Sequence, residues 1–281
     1  MKRTIIGLAL TTGVALITAV PAQAAAPKAD PVKALKAQFV SGKGVTFSSI
    51  VRMGGSGETL ITTRENGKIG FDRSGPAASD SSFKVQIDPT LKSLLDDETR
   101  TMYAALAKPT RAISVKGKTY LSGSMVADVL PDGKTWVRYP GATTANSGDG
   151  TFVNIFEPAT LKTLLAGASS YRNGVAKGTI SAAKLRSVSR TFRAGGNVID
   201  AKKITWALWI NSKGLVTRVS AKMAVPMRGV TLEMSQESRF SGWGAKVSIV
   251  APPSAQVVDA KELGEDAPTP GIPDVLTEVK P

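Results

Sequence analysis

The chain contains neither cysteine nor histidine. Without cysteine there are no disulfides, no thiol catalysis, no cysteine-based metal site and no lipidated N-terminal cysteine. Without histidine there are no Ser-His-Asp triads, no imidazole bases and few ways to hold zinc or copper. Beyond the first twenty residues no segment is apolar enough to cross a bilayer. The fold must therefore be held by its apolar core alone, and the residues point to no metal, cofactor or enzymatic reaction.

What is present begins with an export signal. Lys2 and Arg3 precede an uncharged apolar stretch from Ile5 to Val20, and Pro21 ends it. Ala22-Gln23-Ala24 then supplies the small-x-small site of a signal peptidase, with cleavage expected after Ala24. The chain thus divides into a signal peptide (1–24), a linker and helix (25–42), one domain (43–259) and an acidic, proline-rich tail (260–281) expected to be disordered. The net charge is +14, and the tail is acidic, so the positive charge concentrates in the body. An exported basic body meets an anionic membrane surface or cell-wall polymers before it meets nucleic acid, which is not an expected partner.

Asp30 followed by Pro31 marks a helix start. From Val45 to Met53 the pattern is that of a strand. Asn66-Gly67 reads as a hairpin turn, 73–82 as a loop, and 89–107 as one helix. The last third alternates most clearly. Trp206 and Leu208 share a face, as do Val219 and Met223, and Leu232 and Met234. Val247 and Ile249 read as a final short strand. Antiparallel hairpins with one apolar face predict an α+β domain, a curved sheet whose inner face is covered by the helices at 89–107 and 158–168.

Three local motifs have plain structural explanations. Gly54-Gly55-Ser56-Gly57 lacks the lysine and helix of a phosphate loop and reads as a turn. Ser181-Ala182-Ala183-Lys184 lacks the companions of a serine–lysine catalyst and reads as a helix cap. Asp96-Asp97-Glu98 has no calcium-loop glycine and reads as acid at a helix start.

The soft and aromatic residues on the inner strand faces are candidates for a cavity wall, since methionine adapts to variable apolar guests. The candidate lining is Val45, Phe47, Val51, Met53, Phe71, Phe83, Val85, Ile87, Ile113, Trp206, Leu208, Val219, Met223, Leu232 and Met234. The candidate covers are Leu94, Leu95 and Met102 on one helical segment and Leu161, Leu164 and Leu165 on the other.

Three segments carry a resemblance. They are Thr119-Tyr120-Leu121-Ser122-Gly123 with Gly133 to Tyr139, then Trp209 to Val219, then Phe240-Ser241-Gly242-Trp243-Gly244 running into Val247 to Pro253. In this order they resemble the actinobacterial LppX/LprG lipoproteins, related in fold to the LolA/LolB carriers. The resemblance implies a LolA-like β half-barrel with helices closing over an apolar cavity. It implies an acylated lipid, or a lipoprotein acyl chain, as ligand. The missing cysteine departs from that family and points to a soluble, freely diffusing monomer, as in LolA. The expected function is a secreted, non-enzymatic lipid carrier. The alternative is an envelope interaction module that binds anionic polymers or a protein partner.

The export signal predicts that the protein recovered outside the membrane begins near Ala25. N-terminal sequencing of secreted material checks this, and an intact Met1 on protein extracted from membranes would refute it.

Overall fold

The computed structural model describes residues 29–55, 57–140, 151–194, 201–227, 230–264 and 267. The expected signal peptide, the loop 141–150 and nearly all of the tail beyond 264 lie outside them. The strands are β1 (Lys43–Gly55), β2 (Glu58–Asp72), β3 (Gly75–Ile87), β4 (Thr110–Val115), β5 (Lys118–Gly123), β6 (Trp136–Pro140), β7 (Ala168–Arg172), β8 (Val175–Ser181), β9 (Lys203–Ile210), β10 (Val216–Met227), β11 (Val230–Lys246) and β12 (Val257–Asp259). They form one sheet in the order β12-β6-β5-β4-β3-β2-β1-β11-β10-β9-β8-β7. Neighbours are antiparallel except β12, which lies parallel to β6. The order does not return on itself, so the fold is α+β with a large, curved, unclosed antiparallel sheet, as expected.

The helices are α1 (Pro31–Lys36), α2 (Pro89–Ser93), α3 (Asp97–Leu106), α4 (Pro158–Ala166), α5 (Ala182–Val188), α6 (Arg190–Ala194) and α7 (Ala260–Leu263). None of the helices among the described residues is long and apolar enough to cross a membrane. Their starts follow the sequence. Asp30 accepts hydrogen bonds from the Val32 and Lys33 amides and caps α1. Ser181 accepts from the Lys184 amide and caps α5, so the serine–lysine motif is a helix start. Asp96 accepts from the Thr99 amide, and Asp97 and Glu98 occupy the first turn of α3.

Four local expectations are corrected. Residues 89–107 form two helices, because Asp96 caps a new one instead of continuing the first. The break leaves Leu94 exposed, 71 % accessible, while Leu95 turns inward. Asn66-Gly67 is not a turn: β2 runs straight through it. A Cβ on residue 67 would lie 2.4 Å from the Asp80 carbonyl oxygen, so this glycine serves the close approach of β3. The chain reverses instead at Asp72, whose carboxylate accepts from the Ser74 amide and hydroxyl and the Gly75 amide. Most of the expected loop 73–82 is therefore strand.

The fourth correction concerns the end of the domain. Val247 and Ile249 form no strand. The extended chain crosses the outer face of the sheet and then adds β12 beside β6. A Cβ on Gly44 would lie 2.7 Å from a Val247 methyl, so residue 44 must stay bare for this strap to lie close. Ile249 and Val257 cover Ile113, Tyr120 and Trp136, which face outward. The strap is fastened by the Thr135 amide on the Gln256 carbonyl oxygen, 2.9 Å, and by a two-pronged pair of Arg138 with Asp259.

The hydrogen bond from Arg138 holds the Asp259 carboxyl below its usual value. A carboxyl depressed in the folded state stabilises it above the unfolded pKa and loses that contribution as pH falls through the folded one. Asp259→Asn is expected to melt below wild type at neutral pH. The gap should narrow below about pH 4, as checked by melting curves across pH.

Candidate functional site

The inner face is read strand by strand from the register. One row runs Ile204, Met223, Met234, Met53, Ile61, Ile87. The next runs Trp206, Ala221, Gln236, Val51, Thr63, Val85, and the third Leu208, Val219, Ser238, Ser49, Glu65, Phe83. Most candidate lining residues therefore do share one face. Ile113 does not. It pairs with Asp80, one position out of phase with Phe83, and sits on the outer face under the strap.

The inner face is not uniformly apolar. Ser49, Thr63, Glu65, Ser81, Gln236 and Ser238 are all buried and cross the middle of the sheet as a polar band. The Ser49 and Ser238 hydroxyls are 3.0 Å apart. Gln236 is held tightly. Its side-chain oxygen accepts from the Phe152 and Val153 amides at 2.9 Å, and its amide group donates to the Val153 carbonyl oxygen. This clamp lays the segment 152–156 against the sheet. The signal was legible: Ser49, Glu65 and Gln236 stand at inward positions of otherwise apolar alternations.

On one side of the band the face is closely filled. Val45, Phe47, Phe71, Trp206, Leu208, Val219 and Met223 pack with Leu161 and Leu164 of α4, Leu185 of α5, Phe192 of α6 and the buried Phe152, Ile155 and Phe156. Leu165 is partly buried against the same cluster. Aromatic rings close its end, with Phe156 edge-on to Phe240 at 5.3 Å and Phe71 stacked on Trp243 at 6.1 Å. These residues are buried together as one apolar core.

On the other side lies a smaller compartment, itself a cluster of buried side chains. Ile61, Phe83 and Val85 of the sheet face Leu95, Tyr103 and Leu106 of the α2–α3 pair. Met53, Met102 and Met125 border it, with Ile87 and Leu91. Among the covering candidates, Leu95 and Met102 do cover this compartment. Leu94 does not, being turned to solvent. Val51 and Leu232 are buried on the inner face.

An open trough of about 510 Å³ lies at the hairpin end of the sheet. Arg52, Ser235, Lys222 and Thr205 are successive cross-strand neighbours along it, one position out of phase with the inward Met53, Met234 and Met223. Most of its lining thus stands at outward positions, so it opens on the outer face, with Met53, Met223 and Met234 of the opposite phase also contributing to its floor.

Ionisable groups elsewhere serve structure. Burial would raise the Glu237 carboxyl, but hydrogen bonds from Arg239 and Arg218 outweigh it and hold it low. Burial pushes the Tyr139 phenol up to about 12, far from any role near neutral pH. Among the described residues no three acidic side chains converge as a metal site would require.

The clamp makes a prediction. Gln236→Ala would strand two buried amides, each costing about 1–3 kcal/mol when left without an acceptor. The variant is expected to lose roughly 2–4 kcal/mol in a denaturant titration, far more than an exposed polar residue would cost.

No protein-family model matches the chain, and no curated protein matches it. Solved structures similar to it include a LolA-superfamily protein from Nitrosomonas europaea, at 7 % identity and a TM-score of 0.28, covering 84 % of this chain and 96 % of that one. Another is a DUF1329-family protein from Desulfovibrio piger, at 10 % identity and 0.26, covering 78 % and 95 %. A third is lipovitellin, in a structure concerned with lipid–protein interactions, at 11 % identity and 0.24, covering 76 % and 27 %. Likenesses this distant say nothing of function.

Proposed function

We propose that the protein is a non-enzymatic lipid-binding protein of the cell envelope that takes an acyl chain into the compartment beneath α2 and α3. The observation that carries the reading is that compartment. It is apolar, separate from the main core, bordered by three methionines, and covered by two short helices joined at an exposed leucine. Methionine side chains repack around a guest at little cost. A chain of about sixteen carbons gains roughly 12 kcal/mol gross on burial at ~0.8 kcal/mol per methylene, and displacing the helices reduces that substantially. The resemblance of the quoted segments to acyl-lipid-binding lipoproteins points the same way. The filled core on the α4 side favours the second reading, an interaction module that needs no cavity ligand.

A pair of variants tests the proposal. Met102→Trp fills the methionine-bordered compartment and is expected to lower uptake of a fluorescent fatty acid at least tenfold while melting near wild type. Met223→Trp overpacks the closed core, costing roughly 1–3 kcal/mol, and leaves the affinity of the folded fraction unchanged. Melting curves beside binding titrations separate the two effects. A wild-type protein that takes up no fatty acid overturns the carrier reading in favour of the interaction module.

A further inference from the structure

The outer face of the sheet is divided in two. At one end the strap from Val247 to Gln256 covers Ile113, Tyr120 and Trp136. The strap also crosses β1 and β2 at Gly44 and Gly70. Beyond it, toward the hairpin end of β9, β10, β11, β1, β2 and β3, the outer face has no cover among the described residues and is net basic. Lys203, Lys222, Arg52, Arg64 and Lys84 stand there at outward positions of five different strands. None of the five has a carboxylate within 4.0 Å among the described residues. Apart from Lys43 and its partner Lys246 at the strand ends, the described inward positions of the same strands carry no lysine or arginine.

The placement costs the fold something. Arg64 is the direct cross-strand partner of Lys84, and Arg218 that of Arg239. Like charges directly opposite on a sheet repel. Glu237 bridges the second pair, but no carboxylate bridges the first. Glu233, Glu237 and Asp80 also stand at outward positions of these strands, but none of them bridges Arg64 and Lys84.

The 510 Å³ trough lies within this area. Arg52, Lys203 and Lys222 line it, with Gly54, Ala224, Ser235 and Thr205 as small residues along it. Glu58 and Glu233 also line it, and neither is ion-paired among the described residues. Met53, Met223 and Met234 complete the lining, so the trough is roomy, of mixed polar and apolar character, and net positive by one charge.

We propose that this uncovered outer face is a docking surface for an anionic phospholipid bilayer, with one headgroup phosphate seated in the trough between Arg52, Lys203 and Lys222. Two features favour a bilayer over a linear polymer. Strands about 4.8 Å apart spread the cations over roughly 24 Å across the sheet. Along the strands they occupy more than one row, so they form a two-dimensional array instead of a single track. A leaflet presents anions in two dimensions, and each lysine or arginine near it adds attraction that salt screens. Docking would also relieve the Arg64–Lys84 repulsion. It goes beyond acyl-chain binding, since the face lies on the opposite side of the sheet from the methionine-bordered compartment.

The test uses the full exported chain with vesicles of phosphatidylcholine alone or of phosphatidylcholine with phosphatidylglycerol, at about 0.15 M salt. Arg52→Gln, Arg64→Gln and Lys84→Gln are combined in one variant. A control variant combines Lys33→Gln, Lys36→Gln and Lys162→Gln, which remove equal charge from α1 and α4. Wild type and control are expected to sediment with the anionic vesicles, and the face variant at least tenfold more weakly. The face variant should melt no lower than wild type, because it loses a like-charge pair, and should take up fatty acid as wild type does if that reading holds. Equal loss in both variants would overturn the proposal, since net charge alone would then explain binding. So would equal binding to neutral vesicles, or binding to soluble polyglutamate with none to anionic vesicles. Unchanged docking by a protein that takes up no fatty acid would support this inference while refuting the carrier reading.

Discussion

An unclosed sheet has an apolar inner face that must be shielded from water, and the rest of this protein follows from that requirement. The twelve strands among the described residues, in an order that never returns on itself, cannot bury their own interior as a closed barrel does. Helices and a connecting segment must supply the missing wall. On the β8–β11 side α4, α5, α6 and residues 152–156 do so with large side chains in close contact. The clamp of Gln236 on the Phe152 and Val153 amides makes this possible, because irregular backbone cannot lie inside a core with its amides unpaired.

The polar band has a second consequence. A continuous apolar face would merge both covers into one core. Ser49, Thr63, Glu65, Ser81, Gln236 and Ser238 interrupt it, and the compartment beneath α2 and α3 becomes a separate unit. That compartment is small, methionine-bordered and covered by helices that are short and independently capped. Parts of a fold with little buried apolar surface open at lower free-energy cost than the main core. The proposed guest site therefore lies there and not under α4, where a displaced helix would expose far more apolar surface.

The outer face divides in the same way. Where it is apolar, the C-terminal strap covers it and the Arg138–Asp259 pair fastens the strap's end. Where it is basic, nothing among the described residues covers it. Inner and outer faces thus offer chemically different surfaces on one sheet: buried apolar side chains on one side, net positive charge on the other.

Much of this was legible in the residues, and the failures have a common cause. Helix starts at Asp30, Asp96 and Ser181 were readable because a cap is a local hydrogen bond. The strands with clean alternation were readable because period two is also local. The misread elements all depend on a distant partner. Asn66-Gly67 has the chemistry of a turn, but β3 lies against that glycine, and tertiary pairing overrides the local preference. Ile113 belongs to an apolar alternation, yet only the register with Asp80 reveals its face. Val247 and Ile249 look like strand residues, but they cross the sheet instead of joining it. By itself the sequence determined the residue chemistry, the charge and the existence of one apolar sheet face, since these are properties of composition and short-range period. The tertiary structure alone decided where that face is filled, where it is divided, and which charges are left uncovered, since each depends on which residues far apart in the chain come into contact.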